Sequence, residues 1–226
     1  MKRRYFIAGT DTDAGKTKVS ESLLMTAQSR GLTTLGLKPI AAGAEEIDGY
    51  QQNEDAYILT QASTLKLPYQ SVNPVLLEEP MAPHIAAERE NKRLGVQQLA
   101  GYCRGALMTN AAEFTLIEGA GGWRVPLNSR ETLADFVKAM NLDVILVVGM
   151  KLGCLNHALL TAEAIERDGL KLEGWIANTL DPDMNGLQEN IHTLQQMIRA
   201  PLVGVLPFMD EGQPLPVDWV NPEMFV

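Results

Sequence analysis

Gly9-Thr10-Asp11-Thr12-Asp13-Ala14-Gly15-Lys16-Thr17 leaves an apolar stretch and runs straight into a helical pattern. Before it, Tyr5-Phe6-Ile7-Ala8 reads as a short buried strand; after it, Val19, Leu23 and Ala27 recur at helical spacing until Gly31 stops the helix. Strand, small-residue loop and helix start, in that order, form the setting of a phosphate-binding loop. Such a loop needs successive backbone N–H groups pointing into one concavity, a helix N-terminus that favours negative charge, a lysine, and a hydroxyl for Mg²⁺. Gly15, Lys16 and Thr17 supply these parts. The usual pattern opens on a glycine where this chain has Thr10, with Gly9 one residue earlier, so the loop is a deviant one. A turn that merely ends in Gly-Lys-Thr is the competing reading, and the flanking strand and helix favour nucleotide binding.

Working outward, strands and helices alternate. Thr33-Thr34-Leu35-Gly36-Leu37-Lys38-Pro39 reads as a second strand, residues 41–53 as a Gly- and acid-rich loop, and Asn53-Glu54-Asp55 as the start of a helix through Ala62. Residues 72–77 are expected to be a short strand, residues 79–84 a proline-punctuated loop, and Leu99, Cys103 and Ala106 the buried face of a helix. Phe114-Thr115-Leu116-Ile117-Glu118 is a strand that ends in a carboxylate and runs into Gly119-Ala120-Gly121-Gly122. A helix over 132–140 and a strand over 143–149 follow. Lys151-Leu152-Gly153-Cys154-Leu155-Asn156 then opens a helix that Gly169 closes, with Asn156 either its N-cap or part of an anion-receiving helix start. A strand over 172–178, a helix carrying Leu187, Ile191, Leu194 and Ile198, and a strand over 202–207 complete the series before an irregular Pro-rich tail from about 210 to 226. The alternation predicts an α/β fold of the P-loop NTPase type, a mostly parallel sheet with helices on both faces, in one domain spanning 1–226.

Composition narrows the function classes. A chain of 226 residues with 46% apolar residues can bury one substantial core, and a net charge of −9 argues against an extended nucleic-acid footprint. Without an apolar run of about 18 residues there is no candidate membrane span, and the N-terminal residues pass directly into strand and loop, so a soluble cytoplasmic protein is expected. Cys103 and Cys154 are far apart and expected to be reduced thiols, and His84, His157 and His192 show no common ligand spacing.

Ligands of open α/β sheets sit beyond the carboxyl ends of the strands, which puts Lys38 and Glu118 on the same edge as the phosphate loop. Lys38 is a candidate second cation at the phosphates, against the commoner fate of a solvated lysine. Glu118 is the candidate Mg²⁺ carboxylate. Asp55 has an ordinary explanation in the helix dipole, and Asn178 at a strand end reads either a base or a turn.

Taken together, Gly-Thr-Asp-Thr at 9–12 with Gly-Lys-Thr at 15–17, Lys-Pro at 38–39, Asn-x-Asp at 53–55, Asn-Pro at 73–74 and Pro-His at 83–84 form an ordered set. Glu-Gly-Ala-Gly-Gly-Trp at 118–123, Gly-Cys-Leu-Asn-His-Ala at 153–158 and Gly-Trp-Ile-Ala-Asn at 174–178 extend it. The chain resembles the dethiobiotin synthetases over about residues 3–209, and its later strings are more specific than the phosphate loop. The resemblance implies that 7,8-diaminopelargonate, CO₂ and ATP give dethiobiotin, ADP and phosphate. One amine becomes a carbamate, the carbamate takes the γ-phosphate as a carbamic–phosphoric anhydride, and the second amine closes the ring. It implies that Lys16, Lys38 and Thr12 act at the transferring phosphate, that Thr17, Asp55 and Glu118 hold Mg²⁺, and that Asp13, Ala14, Gly15, Lys16, Thr17 and Val19 hold the nucleotide. Gly119, Ala120 and Gly121 would join that site, with Asn178, Pro207, Phe208 and Met209 framing the adenine. The substrate would meet Ala42 and, through its carboxylate, the helix start at Leu152, Gly153, Cys154 and Asn156, in a homodimer with substrate near the subunit interface.

Three positions depart from the family pattern: Ala42 and Ala82 stand where serines are usual, and Asn190 where some members have a tyrosine for the partner subunit's substrate. Two alternatives stay open at this point. One is a paralogue using the same chemistry on another small amine or carboxylate, although no glutamine-hydrolysing domain fits in the chain. The other is a switch or partitioning ATPase, although the early extra lysine of that group is replaced by Thr10 and Asp11.

Overall fold

The computed structural model describes residues 2–210 and 212–225. In chain order the elements are β1 (Arg3–Gly9), α1 (Lys16–Ser29), β2 (Thr34–Leu37), β3 (Ile40–Ala42), β4 (Glu45–Ile47), β5 (Tyr50–Gln52), α2 (Glu54–Ala62) and α3 (Tyr69–Val72). There follow β6 (Val75–Leu77), α4 (Pro83–Arg89), α5 (Val96–Thr109), β7 (Phe114–Glu118), α6 (Leu133–Met140), β8 (Asp143–Met150), α7 (Cys154–Arg167), β9 (Leu172–Thr179), α8 (Leu187–Met197) and β10 (Leu202–Leu206). Six strands form one parallel sheet in the order β10-β9-β8-β1-β7-β2. Placing β1 between β7 and β8 brings the loop after β1 to the reversal of strand order, where such sheets bind ligands.

Alternation along β1 sorts the core into two layers. Phe6 and Ala8 pack with buried residues of α5, α6, α7 and α8 on one face. Tyr5 and Ile7 pack with Val19, Leu23 and Ala27 of α1 and Leu59 of α2 on the other. Seven consecutive residues of β8, from Val144 to Met150, are buried, as a central strand covered on both faces requires.

The observed elements differ from the sequence expectations in four places. Residues 41–53 are not a plain loop: β3 pairs in parallel with β6, and β4 and β5 form a hairpin around Asp48 and Gly49, both at positive φ. That hairpin is solvent-facing and carries no apolar alternation, so only its Asp-Gly turn pair announced it. The strand expected over 72–77 is shorter, Val75–Leu77, because Val72 closes the helical turn of α3. Asn156 is not the N-cap of α7, because the helix already begins after Gly153, whose left-handed φ of 93° makes the turn. The tail is not wholly irregular either. Val220 bridges to Gly204, and Pro222–Phe225 form a 3-10 turn that buries Met224 and Phe225 beside α1.

Candidate active site

The loop after β1 makes a 3-10 turn over Thr12–Ala14 and then turns left-handed at Gly15, with φ 80°. A Cβ at Gly15 would lie 2.1 Å from Asn178 Nδ2, so the loop and the end of β9 touch only because this residue has none. Asn178 Nδ2 donates to the Ala14 carbonyl at 2.9 Å, bracing the loop from beneath. Lys16 is buried and its Nζ donates to the carbonyls of Asp11 at 3.1 Å and Thr12 at 3.3 Å. Burial, and then the nearby Lys38 ammonium, pull its pKa from the ordinary 10.5 down to about 8, against the opposing pull of Glu118, Asp55 and Asp11. A lysine in that condition gains most from an arriving anion.

Lys38 leaves the end of β2 and is buried between two carboxylates, 2.7 Å from Asp55 Oδ2 and 2.7 Å from Glu118 Oε1, while also donating to the Gly119 carbonyl at 3.2 Å. Burial alone would lower its pKa; Glu118 and Asp55 outweigh it and hold the ammonium above the ordinary lysine value. For Asp55 the penalty of burial is outweighed by Lys38 and by the Thr17 hydroxyl, and its carboxyl stays below the usual range. Thr17 Oγ1 lies 2.7 Å from Asp55 Oδ1 and 2.9 Å from Glu118 Oε1, and Ser20 Oγ donates to Glu118 Oε2 at 2.8 Å. Thr17 has one proton for two carboxylate oxygens. The cluster therefore offers hard oxygen donors in a spot where an added cation relieves an O···O contact, a donor set that suits Mg²⁺.

The positions of Lys38 and Asp55 are tied together from behind. Asn53 caps α2, accepting from Ala56 N–H, and its own N–H donates to the Tyr69 hydroxyl at 2.7 Å. Tyr69 donates in turn to Asn73 Oδ1 at 3.0 Å, and Asn73 Nδ2 donates to the Lys38 carbonyl at 2.7 Å. This relay was not foreseen, although Asn-Pro at 73–74 marked one member of it.

Two cavities meet at the cluster. One, of about 900 Å³, is bounded by the loop residues Thr12, Asp13, Gly15, Lys16 and Thr17, by Glu21 and Met25 of α1, by Ile58 of α2, and by Asp210, Gly212, Gln213, Pro214 and Leu215 of the tail. The other, of about 530 Å³, runs past Ala42, Asn53, Ala82, Ala120, Gly121, Gly122 and Arg124. Thr12, Lys38 and Asp55 line both.

Thr12, Asp13, Gly15, Lys16, Thr17, Lys38, Asp55 and Glu118 thus converge. Ala42, Ala120 and Gly121 stand on the wall of the second cavity, and Gly119 gives its carbonyl to Lys38. Other expected residues lie elsewhere. Val19 is a core residue, Ala14 and Asn178 lie under the loop, and Pro207, Phe208 and Met209 precede the tail residues that line the first cavity. Leu152, Gly153, Cys154 and Asn156 line neither cavity of their own chain, and Leu152 is 99% exposed. Asn190 is half-buried in α8, away from both cavities. Also unforeseen were Ser20, one turn after Thr17 on α1, and the ion pair of Lys151 Nζ with Asp11 Oδ2 at 2.5 Å beside the loop.

Known proteins extend the picture. Residues 3–214 match the AAA domain family. The septum site-determining protein of Pyrococcus horikoshii, solved with Mg-ADP, superposes with a TM-score of 0.57 at 17% identity, over 92% of this chain and 82% of that one. A ParA family ATPase of Chlorobium tepidum gives 0.56 at 12% identity, over 93% and 85%. These likenesses establish the P-loop α/β fold. In sequence, the ATP-dependent dethiobiotin synthetase of Cellvibrio japonicus is 57% identical across 91% of this chain and 90% of its own length. The corresponding proteins of Marinobacter nauticus and Pseudomonas aeruginosa are each 46% identical, across 92% and 94% of this chain and 89% and 93% of theirs. Identity at that level along nearly the whole of both chains makes this protein a member of the ATP-dependent dethiobiotin synthetase family.

Proposed function

We propose that the chain closes the ring of dethiobiotin from 7,8-diaminopelargonate, CO₂ and ATP, with the triphosphate in the larger cavity and the diamine in the smaller. The observation that carries this reading is the common wall: Thr12, Lys38 and Asp55 face both spaces, so a phosphoryl group leaving one arrives in the other. Phosphoryl transfer of this kind rests on positioning and charge stabilisation. Lys16 and Lys38 supply the positive charge at the γ-phosphate and at a carbamate oxygen, and Thr12 offers a hydroxyl on the shared wall. Thr17, Asp55 and Glu118 are the residues that would hold Mg²⁺, which would supply positive charge to offset that of the phosphates.

The protein acts as a homodimer in this reading. The exposed start of α7, including Leu152 and with Leu160 58% exposed one face further along, serves the neighbouring chain's diamine rather than its own. Incubation with ATP, MgCl₂, bicarbonate and diaminopelargonate is expected to yield dethiobiotin by mass spectrometry. A blank from protein that still binds ATP refutes the assignment. Sedimentation is expected to report a dimer that Leu152→Glu weakens.

A further inference from the structure

The tail crosses the outer side of α1 under several independent restraints. Lys18 Nζ donates to the Met209 carbonyl at 2.9 Å as the tail leaves β10. Farther on, the fully buried Ser22 hydroxyl donates to the Pro216 carbonyl at 2.8 Å and accepts from Trp219 Nε1 at 2.7 Å. An indole N–H only donates and a hydroxyl does both, so one serine oxygen satisfies two tail groups at once. Asn221 N–H then pairs with the Val203 carbonyl at 2.7 Å. Gly204 is what lets the tail lie so close: a Cβ there would fall 2.7 Å from the Trp219 carbonyl. Between the Lys18 and Ser22 attachments, residues 212–215 line the larger cavity opposite Met25 and Ile58.

We infer that Trp219, acting through Ser22, is a positioning residue for the nucleotide: it holds residues 212–215 as the outer wall of the triphosphate cavity. It touches no reacting atom, so its loss loosens binding of ATP and leaves the chemistry alone. The inference rests on the nucleotide reading of the larger cavity and is independent of which acceptor the smaller one takes.

The test uses the full chain and the non-hydrolysable analogue adenylyl imidodiphosphate, titrated by calorimetry without diamine. Trp219→Phe keeps an aromatic ring and removes the donor; Ser22→Ala removes both attachments and, as a one-atom change, keeps the test open should the indole variant misfold. Each folded variant is expected to bind the analogue about threefold to tenfold more weakly, the scale of losing one neutral hydrogen bond. The double variant is expected to be no worse than Ser22→Ala alone, because the two changes delete the same link. In steady state, KM for ATP rises by the same factor while kcat and KM for the diamine stay at wild-type values. Unchanged analogue affinity in folded variants overturns the inference, as does a fall in kcat with KM for ATP intact. Wild-type protein that binds the analogue but makes no dethiobiotin counts against the proposed reaction and leaves this inference standing.

Discussion

The depressed pKa of Lys16 ties nucleotide binding to pH in a way that can be worked through. In the free protein its ammonium is held near 8 rather than 10.5. A triphosphate brought against Nζ stabilises the charged form, so the bound lysine keeps its proton through the alkaline range. Above about pH 8 the free lysine is neutral, and binding must take up the missing proton. For a free value of about 8, uptake is about half a proton per ATP at pH 8 and about nine-tenths at pH 9, and affinity falls about tenfold between pH 7 and pH 9. Calorimetric titration of ATP in two buffers of different ionisation enthalpy reads both quantities, with Lys16→Met as the control. An affinity that stays flat from pH 7 to 9 without buffer-dependent heat refutes the reasoning.

The same displacement has a stability consequence of defined sign. A base whose folded pKa is lowered is penalised when protonated, so the cost is present in full below pH 8 and disappears as pH rises past 10.5. At about 1.4 kcal/mol per unit, the cost at neutral pH is about 3 kcal/mol. Lys16→Met is therefore expected to raise the Tm of the nucleotide-free protein at pH 7 while weakening ATP binding, and the gain shrinks as the melts are moved to pH 10.

Three further outcomes are expected. Lys38→Met leaves Asp55 and Glu118 facing one another without their cation, which costs about 3–5 kcal/mol and removes turnover; millimolar MgCl₂ recovers part of the lost Tm. Asp55 sits below its ordinary value and Lys38 above, so the contribution of Asp55 is lost only as pH falls through that lowered value and that of Lys38 only as pH rises through its raised one. The contribution of the pair to wild-type stability is accordingly level across neutral pH, whereas the deficit of Lys38→Met shrinks toward pH 5 as one of its unpaired carboxylates takes up a proton, which denaturant melts between about pH 5 and 9 check. Tyr69→Phe breaks the relay between the α2 cap and Lys38, lowering kcat about threefold to tenfold with ATP affinity retained. Ala42→Ser returns a hydroxyl to the smaller cavity and is expected to lower KM for the diamine by up to about tenfold, measured in the dethiobiotin assay.

What the sequence disclosed depended on distance along the chain. The phosphate loop, Lys38 and Glu118 were legible because each follows an apolar strand, and a strand's end fixes where its last side chain emerges. Asn53 and Asp55 were legible as a helix start, but the ion pair that gives Asp55 its role joins it to Lys38 seventeen residues away and leaves no local trace. The Tyr69 relay and the Trp219 link to Ser22 are hidden for the same reason, since each is a single hydrogen bond between segments whose own patterns are unremarkable. The β4–β5 hairpin escaped because its strands are three residues each, exposed and without apolar alternation. Ala42 and Ala82, noticed only as departures from a pattern, proved to share one cavity wall although forty residues separate them.

Charge is balanced at the centre of this cluster. Lys16 and Lys38 carry two positive charges and Asp55 and Glu118 two negative ones, so the nucleotide-free site is neutral although Glu118 is fully buried. Lys38 gives its ammonium hydrogens to Asp55, Glu118 and the Gly119 carbonyl. Lys16 is in the opposite state: among the described residues its Nζ bonds only to two loop carbonyls and forms no ion pair. An anion is thus drawn first to Lys16, while Lys38, on the wall shared by the two cavities, is held by Asp55 and Glu118.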